Sequence, residues 1–179
     1  MERRKAIRYL FIMAGGVAVL PSCLRKESKS SLLLKNISFS LDEENTLAEF
    51  AETLIPASAT PGAKDTYAHL YVMRMLDDCS EKEEQQDFTK GLKSLESLVK
   101  EKHKTNFLEA TPAQREDIVR LLDGGQGPVE AQSFYKLMKR LTIQGYLTSK
   151  PVMGDIFKYE LVPGRYEGAY PLKAIIRQV

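Results

Sequence analysis

Apolar side chains recur at helical spacing in five separate stretches, each bounded by residues that start or stop a helix. No other feature constrains the fold as strongly. Ser40-Leu41-Asp42-Glu43 reads as a capping box. Leu47, Phe50, Ala51, Leu54 and Ile55 follow on one stripe, and Pro56 ends that helix. In the loop PASATPGAKD (Pro56 to Asp65), Asp65 is placed to cap a second helix with Ala68, Val72, Met75, Leu76 and Cys79 on one side. Ser80-Glu81-Lys82-Glu83 reads as another box, opening a longer helix with Phe88, Leu92, Leu95 and Val99 on one face. Gly91 within it costs about 1 kcal/mol against Ala, which points to a close neighbour. Thr111-Pro112-Ala113-Gln114 is a third cap with Pro at the first helical position, leading to Ile118, Val119, Leu122 and the turn Gly124-Gly125. Phe134, Leu137, Met138 and Leu141 mark a fifth helix, expected to stop at Gly145 in a left-handed cap. The predicted fold is all-α: about five amphipathic helices in an irregular bundle, followed by an irregular Gly/Pro/Tyr-rich C-terminal segment.

The 179-residue chain has room for one such core. Its first residues are of another kind. RRKAIRYLFIMAGGVAVLPSC joins a basic start to an apolar run too short to span a bilayer as a mature helix, which predicts a signal peptide over residues 1–22. Leu20-Pro21-Ser22-Cys23 resembles a bacterial lipobox, so Cys23 is expected to be acylated and to tether the protein to a membrane. Arg3-Arg4 resembles the twin-arginine export signal, with Glu2 and Ala6 departing from its usual residues. Residues 23–39, rich in Ser, Lys and Leu, read as the tether, and residues 40–179 as the domain. The expected location is the bacterial cell envelope, facing the periplasm or the cell surface. With the leader set aside, 22 basic and 23 acidic side chains remain, and no basic face is left to suggest a nucleic-acid partner.

Motifs that would announce catalysis are missing from the sequence. His69 and His103 have no cysteine or carboxylate at a metal-ligand spacing that singles them out. His69 reads as structural or partner-facing, and His103, within KEKHK, as solvated. Cys79 falls on an apolar stripe and reads as a small buried side chain. Asp77-Asp78 and Glu83-Glu84 are sequence neighbours that point apart on a helix and read as solvated faces. Gly124-Gly125-Gln126-Gly127 follows a helix and precedes Pro128, as an inter-helix turn does. No catalytic, cofactor-binding or metal-binding residue is expected in this chain.

From Gly145 the composition shifts, with Gly or Pro every few positions and tyrosines at 146, 159, 166 and 170. Such a segment is too aromatic for a disordered tail and must pack its rings on its own bundle or on another protein. Three stretches, LAEFAETLIPASATPGAKD (Leu47 to Asp65), LMKRLTIQGYLTSKPVMG (Leu137 to Gly154) and YELVPGRYEGAYPL (Tyr159 to Leu172), resemble the family of gluconate 2-dehydrogenase subunit 3. The resemblance implies a non-catalytic helical accessory subunit. Its partner would be a large FAD-dependent dehydrogenase of the glucose-methanol-choline type, with a cytochrome c as a further electron acceptor. The FAD would sit in the partner, and the twin-arginine signal would carry the folded flavoprotein out with the small subunit. Tyr146, Tyr159, Arg165, Tyr166 and Tyr170 are then expected at the interface, shaped by turns at Pro163-Gly164 and Gly168, with the loop at Pro61-Gly62 beside them. An envelope lipoprotein scaffold unrelated to any dehydrogenase, or a small enzyme with an unannounced site, is the alternative.

Overall fold

The capping box at Ser40 forms as its residues dictate: the Ser40 hydroxyl accepts from the Glu43 amide while the Glu43 carboxylate accepts from the Ser40 amide. Helix α1 (Leu41–Leu54) follows in a computed structural model that describes residues 29–162 and 164. After the loop come α2 (Ala68–Cys79), α3 (Lys82–His103), α4 (Pro112–Asp123) and α5 (Val129–Leu147). A short π-helical turn, Val152–Ile156, ends the regular structure. Among the described residues there is no strand, only an isolated antiparallel bridge between Lys29 and Ser40. The all-α expectation holds.

The core is aromatic at its centre. Phe50 of α1 meets Phe107 at a ring separation of 5.4 Å, Phe134 at 5.3 Å and Tyr135 at 6.4 Å. Phe134 in turn lies 4.8 Å from Phe88 of α3. This last contact explains Gly91: a Cβ there would stand 2.5 Å from the Phe134 Cβ and 2.6 Å from the Glu130 carbonyl oxygen. α3 and α5 can approach so closely only because that atom is missing.

Several local readings need correction. Asp65 does not cap α2. Its carboxylate accepts from the Gly62 amide at 3.0 Å inside the loop, and α2 starts from Tyr67, whose backbone is left-handed with φ 56°. Ser80 caps nothing at α3, because it closes α2 in an extended conformation and Glu81 takes the N-cap without a side-chain bond. Gln85 reaches back instead, donating to the carbonyls of Leu76 at 2.8 Å and Ser80 at 3.1 Å. On α2 the fully buried sulfur side chain is Met73, and Cys79 at the helix end is exposed. Gly145 stops nothing: α5 continues to Leu147, and Gly145 leaves room for the Tyr71 ring, whose Cγ would be 2.9 Å from an added Cβ. Gly125 and Gly127 do form the α4–α5 turn, with φ of 71° and 94°.

Residues 29–39 are laid against the bundle. Phe39 is buried, and Leu32, Leu34 and Ile37 pack on the core. Asp77, expected on a solvated face, is buried and accepts from the backbone amides of Lys35 (3.0 Å), Asn36 (2.6 Å) and Ile37 (3.2 Å). A buried carboxylate needs such donors, and the bend at Lys35-Asn36 turns three successive amides toward it.

Candidate functional site

α1 and α2 form an antiparallel hairpin whose closed end is the loop after Leu54. Glu52 organises that loop. Its carboxylate accepts from the amides of Ala57 at 3.0 Å and Lys64 at 2.9 Å, drawing both sides of the turn together. Gly62 fits because it lacks a side chain: a Cβ would meet the Glu52 oxygens at 2.5 and 2.6 Å and the Ala57 nitrogen at 2.8 Å. One turn earlier Glu49 pairs with both Lys64 and Arg115. Burial alone would raise the Glu49 carboxyl, but the two cations outweigh it and hold it below the usual range. Arg115 also donates to the carbonyls of Phe107 at 2.9 Å and Leu108 at 2.6 Å, so one guanidinium links α1, the α3–α4 connection and α4.

The end of α5 docks on this loop through Tyr146, whose hydroxyl donates to the Pro61 carbonyl at 3.0 Å. Pro61 and Tyr146, expected from the sequence on one surface, are thus in contact at one end of the bundle, with Gly62 next in the same loop. Around and beyond Tyr146 several large apolar side chains stay exposed. Ile143 and Leu147 on α5 are exposed, as are Phe157 (57%), Tyr159 (56%), Leu161 (83%) and Val162 (83%) after the π-helical turn. The turn itself is held by buried Val152 and by the Tyr159 amide donating to the Met153 carbonyl at 2.8 Å. Phe157, Tyr159, Leu161 and Val162 thus form a run of exposed large apolar side chains along one segment.

Of the remaining candidates, Gly164 has open space around its α-carbon. Pro163, Arg165, Tyr166, Gly168 and Tyr170 lie outside the described residues, as do Arg3, Arg4 and Cys23. Leu161, Val162, Phe157 and Leu147 were missed. For Leu161 and Val162 the signal is visible in the sequence: apolar residues beside Pro163 and Gly164, with no helical stripe to join.

The histidines are placed differently from one another. His69 is buried and its Nδ1 has no hydrogen-bond partner. Burial lowers its pKa, more than the neighbouring Glu44 raises it, so the ring is held neutral. His103 is not solvated as expected: it is largely covered, with Nε2 3.1 Å from the Asp117 carboxylate that also binds Lys102 at 2.8 Å. Among the described residues no three His, Cys, Asp or Glu side chains group as metal ligands. A hollow of about 460 Å³ between α3 and α5 sets Glu84 and Asp87 over Phe88, Phe134 and Leu137. No helix of the described residues is long and apolar enough to cross a membrane.

Comparison with known proteins gives one family. The model described as gluconate 2-dehydrogenase subunit 3 matches residues 41–164, from the first residue of α1 through the exposed apolar segment. No match was found among curated proteins or among solved structures.

Proposed function

Since the chain belongs to the gluconate 2-dehydrogenase subunit 3 family, and so to the accessory subunits of dehydrogenase complexes, we propose that it is a non-catalytic subunit that grips an FAD-dependent sugar or alcohol dehydrogenase. The observation that carries this reading is the unpartnered run Phe157, Tyr159, Leu161 and Val162 beside Ile143 and Leu147. Fully burying such a side chain gives about 1.5–3 kcal/mol, and Phe157, Tyr159, Leu161 and Val162 are each more than half exposed, so a partner that covers them gains most of that from each. The rigid part of the surface is the Glu52-centred loop with Tyr146 locked onto Pro61, which limits the entropy lost on docking.

In this reading the flavin and the hydride chemistry reside in the partner, whose electrons pass to a carrier such as a cytochrome c. Arg3-Arg4 would direct export of the folded pair, and acylated Cys23 would keep it at the envelope membrane. The small subunit then serves folding, export and membrane association of the flavoprotein. A pull-down from source membranes through the full chain tests this. A yellow, FAD-containing partner is expected, and a colourless one, or turnover by the small chain alone, contradicts the reading.

A further inference from the structure

The strap formed by residues 29–39 crosses the open end of the α1–α2 hairpin. On the α1 side Lys29 bridges Ser40, and the Ser31 amide donates to the Glu44 carboxylate at 2.6 Å. On the α2 side Asp77 holds the amides of Lys35, Asn36 and Ile37. The Pro61 loop and Tyr146 sit at the hairpin's closed end. The two ends are therefore separated by the rise of α1, about 20 Å for its 14 residues.

The strap end differs in chemistry from the docking end. A groove of about 480 Å³ runs between Asn36, Ile37 and Ser38 of the strap and the exposed face of α3, where Lys82, Lys90 and Lys93 line it. Lys90 is paired with Asp87 at 3.0 Å, Lys82 and Lys93 line the same face of α3, and Lys29 and Lys35 are exposed on the strap. Beside them Leu33 is 89% exposed while its neighbours Leu32 and Leu34 pack inward. Cations around one outward aliphatic chain are the groups that meet a membrane interface: the charges take headgroup phosphates and the leucine reaches past them.

We propose that the strap end is the membrane-facing pole, seated on an anionic lipid headgroup surface, and that the bundle holds its apolar docking end about 20 Å farther out. The clasp at Asp77 and Glu44 makes the orientation fixed. Six peptide links separate Cys23 from Lys29, a reach of about 20 Å at full extension, so an anchor at Cys23 keeps this pole within about 20 Å of the membrane. That last step rests on Cys23 being the anchor; the charge and exposure of the groove do not.

The test uses the full chain from membranes, with Cys79→Ser and a fluorophore on either Leu33→Cys or Tyr159→Cys, in vesicles of phosphatidylcholine with or without phosphatidylglycerol. Mass spectrometry reads the acylation of Cys23 separately, and Cys23→Ser is added where it is unmodified. Headgroup-level quenchers are expected to reach residue 33 strongly and residue 159 weakly, and Lys82→Gln with Lys93→Gln to reduce the effect at 33. An unacylated chain that still binds phosphatidylglycerol vesicles removes the anchor and keeps this pole. Each lysine near such a surface is worth about a factor of five, so the double substitution should weaken that binding about 25-fold. Equal quenching at the two positions, indifference to the lysines, or an unacylated chain that ignores anionic vesicles overturns the proposal.

Discussion

The Asp77 carboxylate accepts a hydrogen bond from the Asn36 backbone amide at 2.6 Å across a separation of 41 residues. With the Lys35 and Ile37 amides on the same group, one side chain fixes where the chain enters the bundle. Hydrogen bonds to a charged acceptor contribute about 1.5–3 kcal/mol each when buried, and the strap amides are half-covered. Asp77→Ala should therefore destabilise the chain by about 3 kcal/mol, read by urea unfolding. Hydrogen exchange should rise first at residues 35–37.

Acid should act on the same clasp. Burial alone would raise the Asp77 carboxyl, but the amides of Asn36, Lys35 and Ile37 and the Arg74 guanidinium hold it below the usual range. Glu49 is likewise lowered. Folded values below unfolded ones mean that this stability is fully present above about pH 4 and is lost as pH falls through the folded values. Melting temperature against pH should be level from neutral to about pH 5 and drop below about pH 4. Asp77→Asn should flatten that drop.

Gly91→Ala is expected to destabilise despite the better helix former. The new Cβ meets the Phe134 Cβ at 2.5 Å and the Glu130 carbonyl oxygen at 2.6 Å, neither of which is a flexible side-chain end. Overpacking of about 1–3 kcal/mol outweighs or offsets a propensity gain of about 1 kcal/mol. Calorimetry should show a lower melting temperature, with far-UV circular dichroism unchanged.

Arg115 and Glu49 should behave as a coupled pair. Removing the guanidinium also strips donors from the Phe107 and Leu108 carbonyls, so Arg115→Met should cost about 2–3 kcal/mol, more than Glu49→Gln. A double-mutant cycle should return a coupling of about 1 kcal/mol. Additive effects would show that the pair seen between α1 and α4 contributes nothing in solution.

The helices were legible because their signals are local. Ser40 with Glu43, and Thr111 with Pro112 and Gln114, cap within a single turn, and the stripes around Phe50, Leu92 and Met138 point inward at helical spacing. What escaped the sequence is long-range. Asp77 looks solvated until the strap arrives, and the strap, made of Ser, Lys and Leu, looks like a tether until Asp77 holds it. Gly145 resembles a helix stop because Gly commonly is one, and only the Tyr71 ring shows why it lies inside α5. At the candidate site the sequence assigns Pro61, Gly62 and Tyr146 to one surface, but the hydrogen bond joining Tyr146 to Pro61 spans 85 residues and leaves no local signal. Leu161 and Val162 went unnamed because their importance lies in what fails to cover them.

The central claim is that the apolar segment after α5 is covered by a flavoprotein. It is tested most directly by co-purifying the full chain with its flavin-containing partner, as wild type and as Tyr159→Ser with Leu161→Ser. Both side chains are exposed, so the double variant should keep the wild-type melting temperature. The account predicts that wild type retains FAD absorbance in a fixed ratio to the small chain and that the double variant loses it. A folded double variant that retains the same flavin ratio contradicts the account.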